Sequence, residues 1–493
     1  LSLNSFFFSP LFLNMFFHIK IGRIRLKIEG GIKMNNENNT LYYLEKAPVS
    51  KAIVHMAVPM ILSMVINIVY NITDAFYIGM LNNTSMLAAI TLALPFTTIL
   101  MALGEIFGTG GSTYISRLLG ENNLERVKKA SSVNFYLSLF TGVIFILISV
   151  PFMPQILQVL GVGVETAGPT RDYVLAYTSG APFVIANFNL GQTVRGEGAS
   201  KESLIGMIIS VAVNMILDPV FIFSFHMGIT GAAIATVIGN VCAVIYYIWY
   251  LAKKSSVQSV SFRYFKPDMK ILGNIFKVGI SAFLLSCFLI VSGLMFNNYA
   301  MIYGEHVVAA FGIANRVCQI SDFIGMGLYM GVVPLIAYSY AAGDTERLNR
   351  ILKTVFIYLG AIVFGIAVVL FFFREQVIRM FSSDIEVIRV GMTILAALLA
   401  STLFAGLSGM FTSMFQAFGK GVQSNIMSVT RGIALIPVIV IGNFMFGLTG
   451  VIWAMTISEF CACLMGVGLW ILARKGIMGV PVEERAEFDM DMG

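Results

Sequence analysis

Apolar runs of about twenty residues and more recur along the chain, parted by short polar turns. Twelve can be marked. The first six cover about 52–81, 87–116, 133–160, 173–194, 204–225 and 229–251. After a basic stretch at 253–270, the second six cover about 271–303, 307–340, 351–373, 388–418, 426–446 and 448–472. Each is long enough to cross a hydrocarbon layer as a helix, and none alternates with the period of two that a membrane strand needs. The fold class expected is an all-α integral membrane protein of twelve transmembrane helices.

The two sets of six echo each other. Met227-Gly-Ile-Thr-Gly-Ala-Ala-Ile-Ala235 parallels Phe446-Gly-Leu-Thr-Gly-Val-Ile-Trp-Ala454, and Asp218-Pro219 falls near Ile436-Pro437. The loop Leu119-Gly-Glu-Asn-Asn-Leu-Glu-Arg126 parallels Ala342-Gly-Asp-Thr-Glu-Arg347. An even number of spans separates the copies, so they run parallel, as two six-helix bundles related by a pseudo-two-fold axis along the membrane normal. The division expected is a first bundle at 51–252, a linker at 253–270, a second bundle at 271–475 and a tail from 476.

Composition agrees with the pattern. Of 493 residues, 57% are hydrophobic and 12% charged, about half the charge of a soluble domain. The net charge of +6 sits in loops and points to orientation in a membrane, with no sign of nucleic-acid binding. Lys and Arg follow the even-numbered segments: Arg117, Arg126, Lys128 and Lys129; Arg195 and Lys201; the linker; Arg347, Arg350 and Lys353; Lys420; Arg474 and Lys475. Arg374 and Arg379 are exceptions. By the positive-inside rule both termini and the linker are expected in the cytoplasm of a prokaryotic cell, with the chain multi-pass in its plasma membrane. Residues 1–33 carry their basic cluster after an apolar patch, the reverse of a signal peptide. The natural start is expected at Met34, the alternative being an amphipathic surface helix.

The chemistry is concentrated in few residues. In the fifth segment Asn214 and Asp218 are four apart and share a helix face, and Pro219 removes a backbone donor and bends the helix. In the first, Asn71 and Asp74 share a face, and Pro59 predicts a bend. Two bare carboxylates at bilayer depth would cost roughly 5–7 kcal/mol. A proton or a bound hard cation must neutralise them, with Asn71, Asn214 and Thr236 as neutral oxygen donors. The aligned second-half position near Ile436 has no acid, which assigns the ionisable site to the first bundle. Glu105 is a third intramembrane acid. Arg316 and Asp322 in the eighth segment, with Gln319 between them, are expected to form a local polar pair. Met410, Phe411, Met414 and Phe415 stand for the many Met and Phe that either pack the core or wall a promiscuous apolar site. The five cysteines (Cys242, Cys287, Cys318, Cys461, Cys463) lie in apolar runs without metal-ligand spacing. His55 and His226 have no nucleophile at motif spacing, and no phosphate loop is present, so an enzyme or a direct ATP drive is not expected.

These residues carry a resemblance. Asn-Met-Ile-Leu-Asp-Pro at 214–219 precedes Met227-Gly-Ile-Thr-Gly-Ala-Ala-Ile-Ala-Thr236. Ile115-Ser-Arg-Leu-Leu-Gly120, Arg195-Gly-Glu-Gly198 and Gly312-Ile-Ala-Asn-Arg316 accompany it. The chain resembles the multidrug and toxic compound extrusion (MATE) family over Lys51–Lys475. The resemblance implies two six-helix lobes in a V and export of drugs or toxic organic cations, by a monomer without a cofactor, in exchange for inward H⁺ or Na⁺. It implies coupling roles for Asp74, Asn214, Asp218 and Thr236, with a possible Na⁺ among them, and a bending role for Pro59. Acids that another branch carries in its seventh and tenth helices are missing here, and the family's Gln-Pro is Val333-Pro334, which places the chain nearest the DinF-like branch. A lipid-linked precursor flippase of the same superfamily, with Arg316 in a cationic cavity, is the alternative.

Overall fold

The computed structural model describes residues 39–81 and 83–478, and among them every regular element is helical. The suspected extension at 1–33 and most of the tail from 476 lie outside the described residues. A short α1 (Asn39–Glu45) leads into α2 (Val49–Gly79), α3 (Thr84–Gly120), α4 (Leu124–Ser149), α5 (Met153–Val159), α6 (Val164–Ser179) and α7 (Ala181–Gly196). Then come α8 (Ser200–Pro219), continued by a π-helical turn (Val220–Ser224), and α9 (Gly228–Lys253). The second half holds α10 (Met269–Met301), α11 (Glu305–Gly331), α12 (Val333–Ala341), α13 (Thr345–Phe372) and α14 (Arg374–Arg379). It closes with α15 (Ile385–Ala417), α16 (Gly421–Ile433), α17 (Leu435–Phe446) and α18 (Leu448–Met478).

Eleven helical stretches among the described residues are long and apolar enough to cross a membrane. The fourth apolar segment falls short because it breaks at Gly180, ahead of Pro182, into two 16-residue pieces, α6 and α7. The eighth breaks at Val332, with Pro334 opening α12, and the eleventh at Ala434, ahead of Pro437. The third ends early: α4 stops at Ser149, and Pro151 and Pro154 set α5 apart. Hydropathy sees a proline-broken helix and an intact one alike. Pro59, by contrast, sits inside the unbroken α2, where Ser63 donates to its carbonyl at 2.9 Å.

The internal repeat is visible in the backbone. Asn122 (φ 55°) and Gly343 (φ 72°) are both left-handed. The next residue in each case caps a helix: Asn123 accepts from the Arg126 amide at 3.2 Å, and Asp344 from the Arg347 amide at 2.8 Å. The two hairpins also match, through Gly228 and Gly447, both at φ 56°.

The halves meet where glycine lets backbones touch. A Cβ on Gly110 of α3 would land on the carbonyl oxygen of Ile275 in α10, and one on Gly279 of α10 on that of Ile106. Gly327 and Gly331 of α11 lie as closely on Ile61 and Ala57 of α2. Two guanidiniums counted as loop charges are buried instead. Arg117 donates to the carbonyls of Gln416 and Ala417, both at 3.3 Å, and ties α3 to α15. Arg195 turns inward from the end of α7. Carbonyls and acids inside the bundle compensate such charges, so a positive count near a span end does not by itself mark a loop.

The linker is docked on the first half. Glu197, 1% exposed, accepts from the Tyr250 hydroxyl (2.6 Å), the Ser255 hydroxyl (2.7 Å) and the Gln258 amide (3.0 Å). Tyr136 of α4 donates to the Val260 carbonyl at 3.0 Å.

If the two loops are structural copies, Asn123→Ala and Asp344→Ala should each cost about 1 kcal/mol, read as similar downward shifts in thermal unfolding in detergent; a loss confined to one of them contradicts the equivalence. Burial pushes the Glu197 carboxyl from 4.5 up to about 7, against its three hydrogen bonds. The docked state therefore favours the protonated carboxyl, a stabilisation complete below 4.5 and lost as pH rises through 7. Amide exchange over residues 255–261, corrected for intrinsic rates, should be slower at pH 6 than at pH 8, and Glu197→Gln should erase the difference.

Candidate functional site

Polar side chains on four helices of the first half converge around Asp218. The carboxylate is on the penultimate residue of α8 and is 0% exposed. Pro219 cannot continue the hydrogen-bond ladder, and the backbone widens into the π-helical turn Val220–Ser224 directly after it. Asn214, one turn earlier on the same face, donates Nδ2 to Asp218 Oδ1 at 3.1 Å and to Thr236 Oγ1 of α9 at 3.1 Å. The hydroxyl of Thr236 in turn donates to the Ala232 carbonyl at 2.9 Å. Among the described residues, Asp218 Oδ2 and Asn214 Oδ1 are buried without a hydrogen-bond partner.

Asp74 of α2 lies within electrostatic reach of Asp218, and it is half-buried. Tyr173 of α6 feels both charges, and Tyr70 of α2 meets Thr236. Asn71 does not join the aspartates: it is exposed and donates to Asn67 at 2.8 Å, one turn back along α2. Its three-residue offset from Asp74 shares a broad face, yet Asn71 is exposed where Asp74 is half-buried.

A cavity of about 230 Å³ opens beside the cluster. Tyr70, Asn214 and Thr236 form its near wall, and Glu105 and Arg195 line it too. Glu105 thus belongs to the cavity. Its charge faces the guanidinium of Arg195, which also lies against Gln192 at 3.5 Å. A hydrogen-bonded path leads along the wall. Asn187 donates to Asn240 at 2.6 Å, Asn240 donates to the Thr236 carbonyl at 2.7 Å, and Thr236 leads through Asn214 to Asp218. Sequence reading missed Asn187, Asn240, Tyr70 and Arg195. The amides offered a signal, being uncharged polar residues inside apolar runs. Arg195 was hidden by its place at a span end.

Several other expectations change. Arg316 and Asp322 do not pair: six residues apart they lie on different faces of α11, and Arg316 is exposed. Asp322 opens instead into a second cavity with Arg431 of α16 and Glu459 of α18. Met410, Phe411, Met414 and Phe415 are buried in a core cluster that also holds Met56 and Leu335, and line neither of the two cavities around Asp322 and Asn214. All five cysteines are free thiols, His55 stacks on Tyr43, and His226 lies in a hairpin.

Comparison with known proteins follows the geometry. Residues 59–220 and 279–441 match the MatE family model. The chain is 40% identical over 438 residues to the multidrug export protein MepA of Staphylococcus aureus, covering 89% of this chain and 97% of that one. It is 39% identical over 438 residues to MepA of Staphylococcus saprophyticus, with the same coverage. Among solved structures, a multidrug resistance MATE family transporter in an outward-facing conformation superposes with a TM-score of 0.82, at 24% identity over 90% of this chain and 98% of that one. A MOP superfamily transporter from Pyrococcus furiosus, described as having a binding pocket of reverse polarity, gives 0.82 at 24% identity over 90% of this chain and 99% of that one. At such identity the structures speak for the fold, and the family model and the staphylococcal relatives for descent: the chain belongs to the MATE family.

Proposed function

We propose that the chain is a secondary-active multidrug exporter, moving organic, often cationic, amphipathic compounds out of the cell in antiport with H⁺. The observation that carries the reading is the pair of buried, unpartnered oxygens, Asp218 Oδ2 and Asn214 Oδ1, beside a cavity and within reach of Asp74. A site this short of donors asks for a positive guest. One proton placed on the cluster lowers the charge repulsion between the two aspartates and adds a donor. A hard cation gathers many more oxygens around itself than the two left open here. Na⁺, held by Asp74, Asn214, Asp218 and Thr236, is the alternative ion.

In this mechanism a proton entering from outside neutralises the aspartate pair. Helix α2 then adjusts along Pro59, the α8 backbone adjusts at Pro219 and its π-helical turn, and the cavity releases its drug. The proton leaves inward after the lobes, 51–252 and 271–475, have rocked about their glycine contacts. Such a cycle works only by the difference in proton affinity between the two states. The exporter is read as a monomer in the lipid bilayer of a prokaryotic plasma membrane, with both termini and the linker cytoplasmic. Glu105 is assigned to the coupling network through the cavity, and its partner Arg195 holds the charge of that wall near balance. A flippase reading leaned on Arg316 in a cationic cavity. Arg316 lines neither large cavity, and the arginines that do, Arg195 and Arg431, each face an acid.

Two outcomes follow. Asp74→Asn and Asp218→Asn should each abolish gradient-driven ethidium efflux from proteoliposomes while the protein still inserts, and Asn214→Ala should lower it about tenfold, as loss of a hydrogen bond to a charged group predicts; efflux surviving in both aspartate variants defeats the assignment. A pH gradient imposed alone should drive efflux, whereas a Na⁺ gradient alone should not; the opposite result transfers the site to Na⁺.

A further inference from the structure

The linker between the halves is held lengthwise against α4. The Ser131 hydroxyl donates to the Ser259 carbonyl at 3.1 Å, the Ser132 hydroxyl to the Ser261 carbonyl at 2.9 Å, and the Tyr136 hydroxyl to the Val260 carbonyl at 3.0 Å. The 3₁₀ turn that follows, Phe262–Tyr264, is thereby fixed at the level of Tyr136. Phe262 and Phe265 stack on each other at 5.4 Å, and each meets the Tyr136 ring edge-on at 5.3 Å. This level is where water gives way to hydrocarbon. The apolar segment of α4 opens at Val133, so Tyr136 stands about one turn inside it. Phe140, Val143 and Leu147 share the face of Tyr136 at helical spacing and are exposed, which makes that face the one turned to lipid. Phe262 lies at the head of this stripe and is itself 68% exposed. The apolar surface thus runs on from α4 into the linker.

Charge is a separate observation. Over 253–270 the linker sets Lys253, Lys254, Arg263, Lys266 and Lys270 against Asp268 alone, and Asp268 caps α10 by accepting from the Lys270 amide at 3.1 Å. On α4, Lys128 lies 6.0 Å from the centre of the Tyr264 ring, and Lys129 holds Glu125 at 2.7 Å. Lys266 is within electrostatic reach of that same Glu125. Lys128, Lys129, Arg263 and Lys266 against Glu125 leave three positive charges around the exposed ring. At the start of the linker Lys254 lies 5.0 Å from the centre of the exposed Trp249 ring, a second aromatic and basic pair at the end of a span.

We propose that the Phe262 turn is a membrane anchor that docks on anionic phospholipid, its ring in the headgroup layer and Arg263, Lys266 and Lys128 on the phosphates. Aromatic rings settle at that depth, and basic residues beside them are drawn to anionic headgroups. The occupant has to be apolar along the stripe and negative above it. A lipid leaflet is both, whereas a soluble anion offers nothing to Phe262 and a protein partner would first have to displace lipid from α4. The hydrogen bonds from α4 to 259–261 make the anchor part of the first half. It acts on whichever face of the membrane the linker occupies, so it is independent of the orientation read above and of the coupling roles of Asp74 and Asp218.

Amide exchange over residues 259–266 tests it, on the full-length protein in nanodiscs of phosphatidylcholine or of phosphatidylglycerol. Protection about tenfold or more higher in phosphatidylglycerol is expected, since each basic residue at an anionic surface is worth roughly fivefold. The gain should shrink to about twofold or less in high salt and in the double variant Arg263→Gln, Lys266→Gln, whose side chains are exposed and whose loss leaves the fold intact. Phe262→Ser should lower protection in both lipids. Residues 255–258, docked inward on Glu197, should exchange alike in the two lipids and serve as the reference. The proposal is overturned by equal protection in the two lipids, by a gain that survives in the double variant, by full protection in Phe262→Ser, or by a gain spread evenly over 255–266. Inorganic phosphate that gives the same protection in phosphatidylcholine would make the turn a site for soluble anions and overturn it too.

Discussion

A carboxylate held at bilayer depth has to be answered by something, and the first-half site is shaped by how incompletely Asp218 is answered. One of its oxygens accepts from Asn214 and the other has no partner among the described residues. Water is absent as a compensating solvent in a hydrocarbon layer, so an unanswered oxygen there stores free energy that a visiting cation can recover. The surroundings keep it that way. Asn214 spends its amide hydrogens on two acceptors and leaves its own oxygen bare, and Thr236 gives its proton to a backbone carbonyl. The cluster is thus a set of acceptors with too few donors, an arrangement that selects for positive charge and against drugs that bring only lone pairs.

The same economy of partners explains where the helices are irregular. Breaks at Gly180, Val332 and Ala434 and the π-helical turn after Pro219 all fall within apolar segments, where a freed carbonyl must be taken up inside the protein. Meanwhile α3 against α10 and α11 against α2 are joined by glycines at van der Waals closeness. Contacts of this kind are tight but carry no interlocking side chains. A crossing built from bare backbone can pivot at little cost, whereas knobs buried in holes would have to be withdrawn first. The halves are also joined by a buried apolar cluster around Ile53, Met56, Leu335 and Met414 and by Arg117 on two carbonyls of α15, a hydrogen-bonded latch of modest strength.

Much of this was legible in the sequence, and the limits have physical causes. Asn214, Asp218 and Thr236 could be read together because a four-residue offset and a tight hairpin are local geometry. The matching caps at Asn123 and Asp344 were visible as repeated loops for the same reason. What failed was everything decided by helix rotation and tilt. Asn71 shares a nominal face with Asp74 yet bonds Asn67, and Asp322 finds Arg431 and Glu459, more than a hundred residues away, in place of Arg316. Arg195 was misplaced by a counting rule that takes a charge near a span end to be solvated. The four Met and Phe of α15 were ambiguous because apolar adaptability serves a core and a drug cavity equally, and only burial separates the two.

The two cavities differ in a way that bears on division of labour. In the first half Glu105 faces Arg195, so the wall is near neutral and the uncompensated charge is set back at the aspartate pair, reached through Tyr70, Asn214 and Thr236. In the second half Asp322, Arg431 and Glu459 stand at the cavity wall itself. A recessed charge behind a hydrogen-bonded rim is harder for a bulky cation to reach than a charge at the wall, because the bulky cation must part the rim. The internal repeat therefore supplies two bundles of one architecture, which differ in where a few carboxylates stand relative to their cavities.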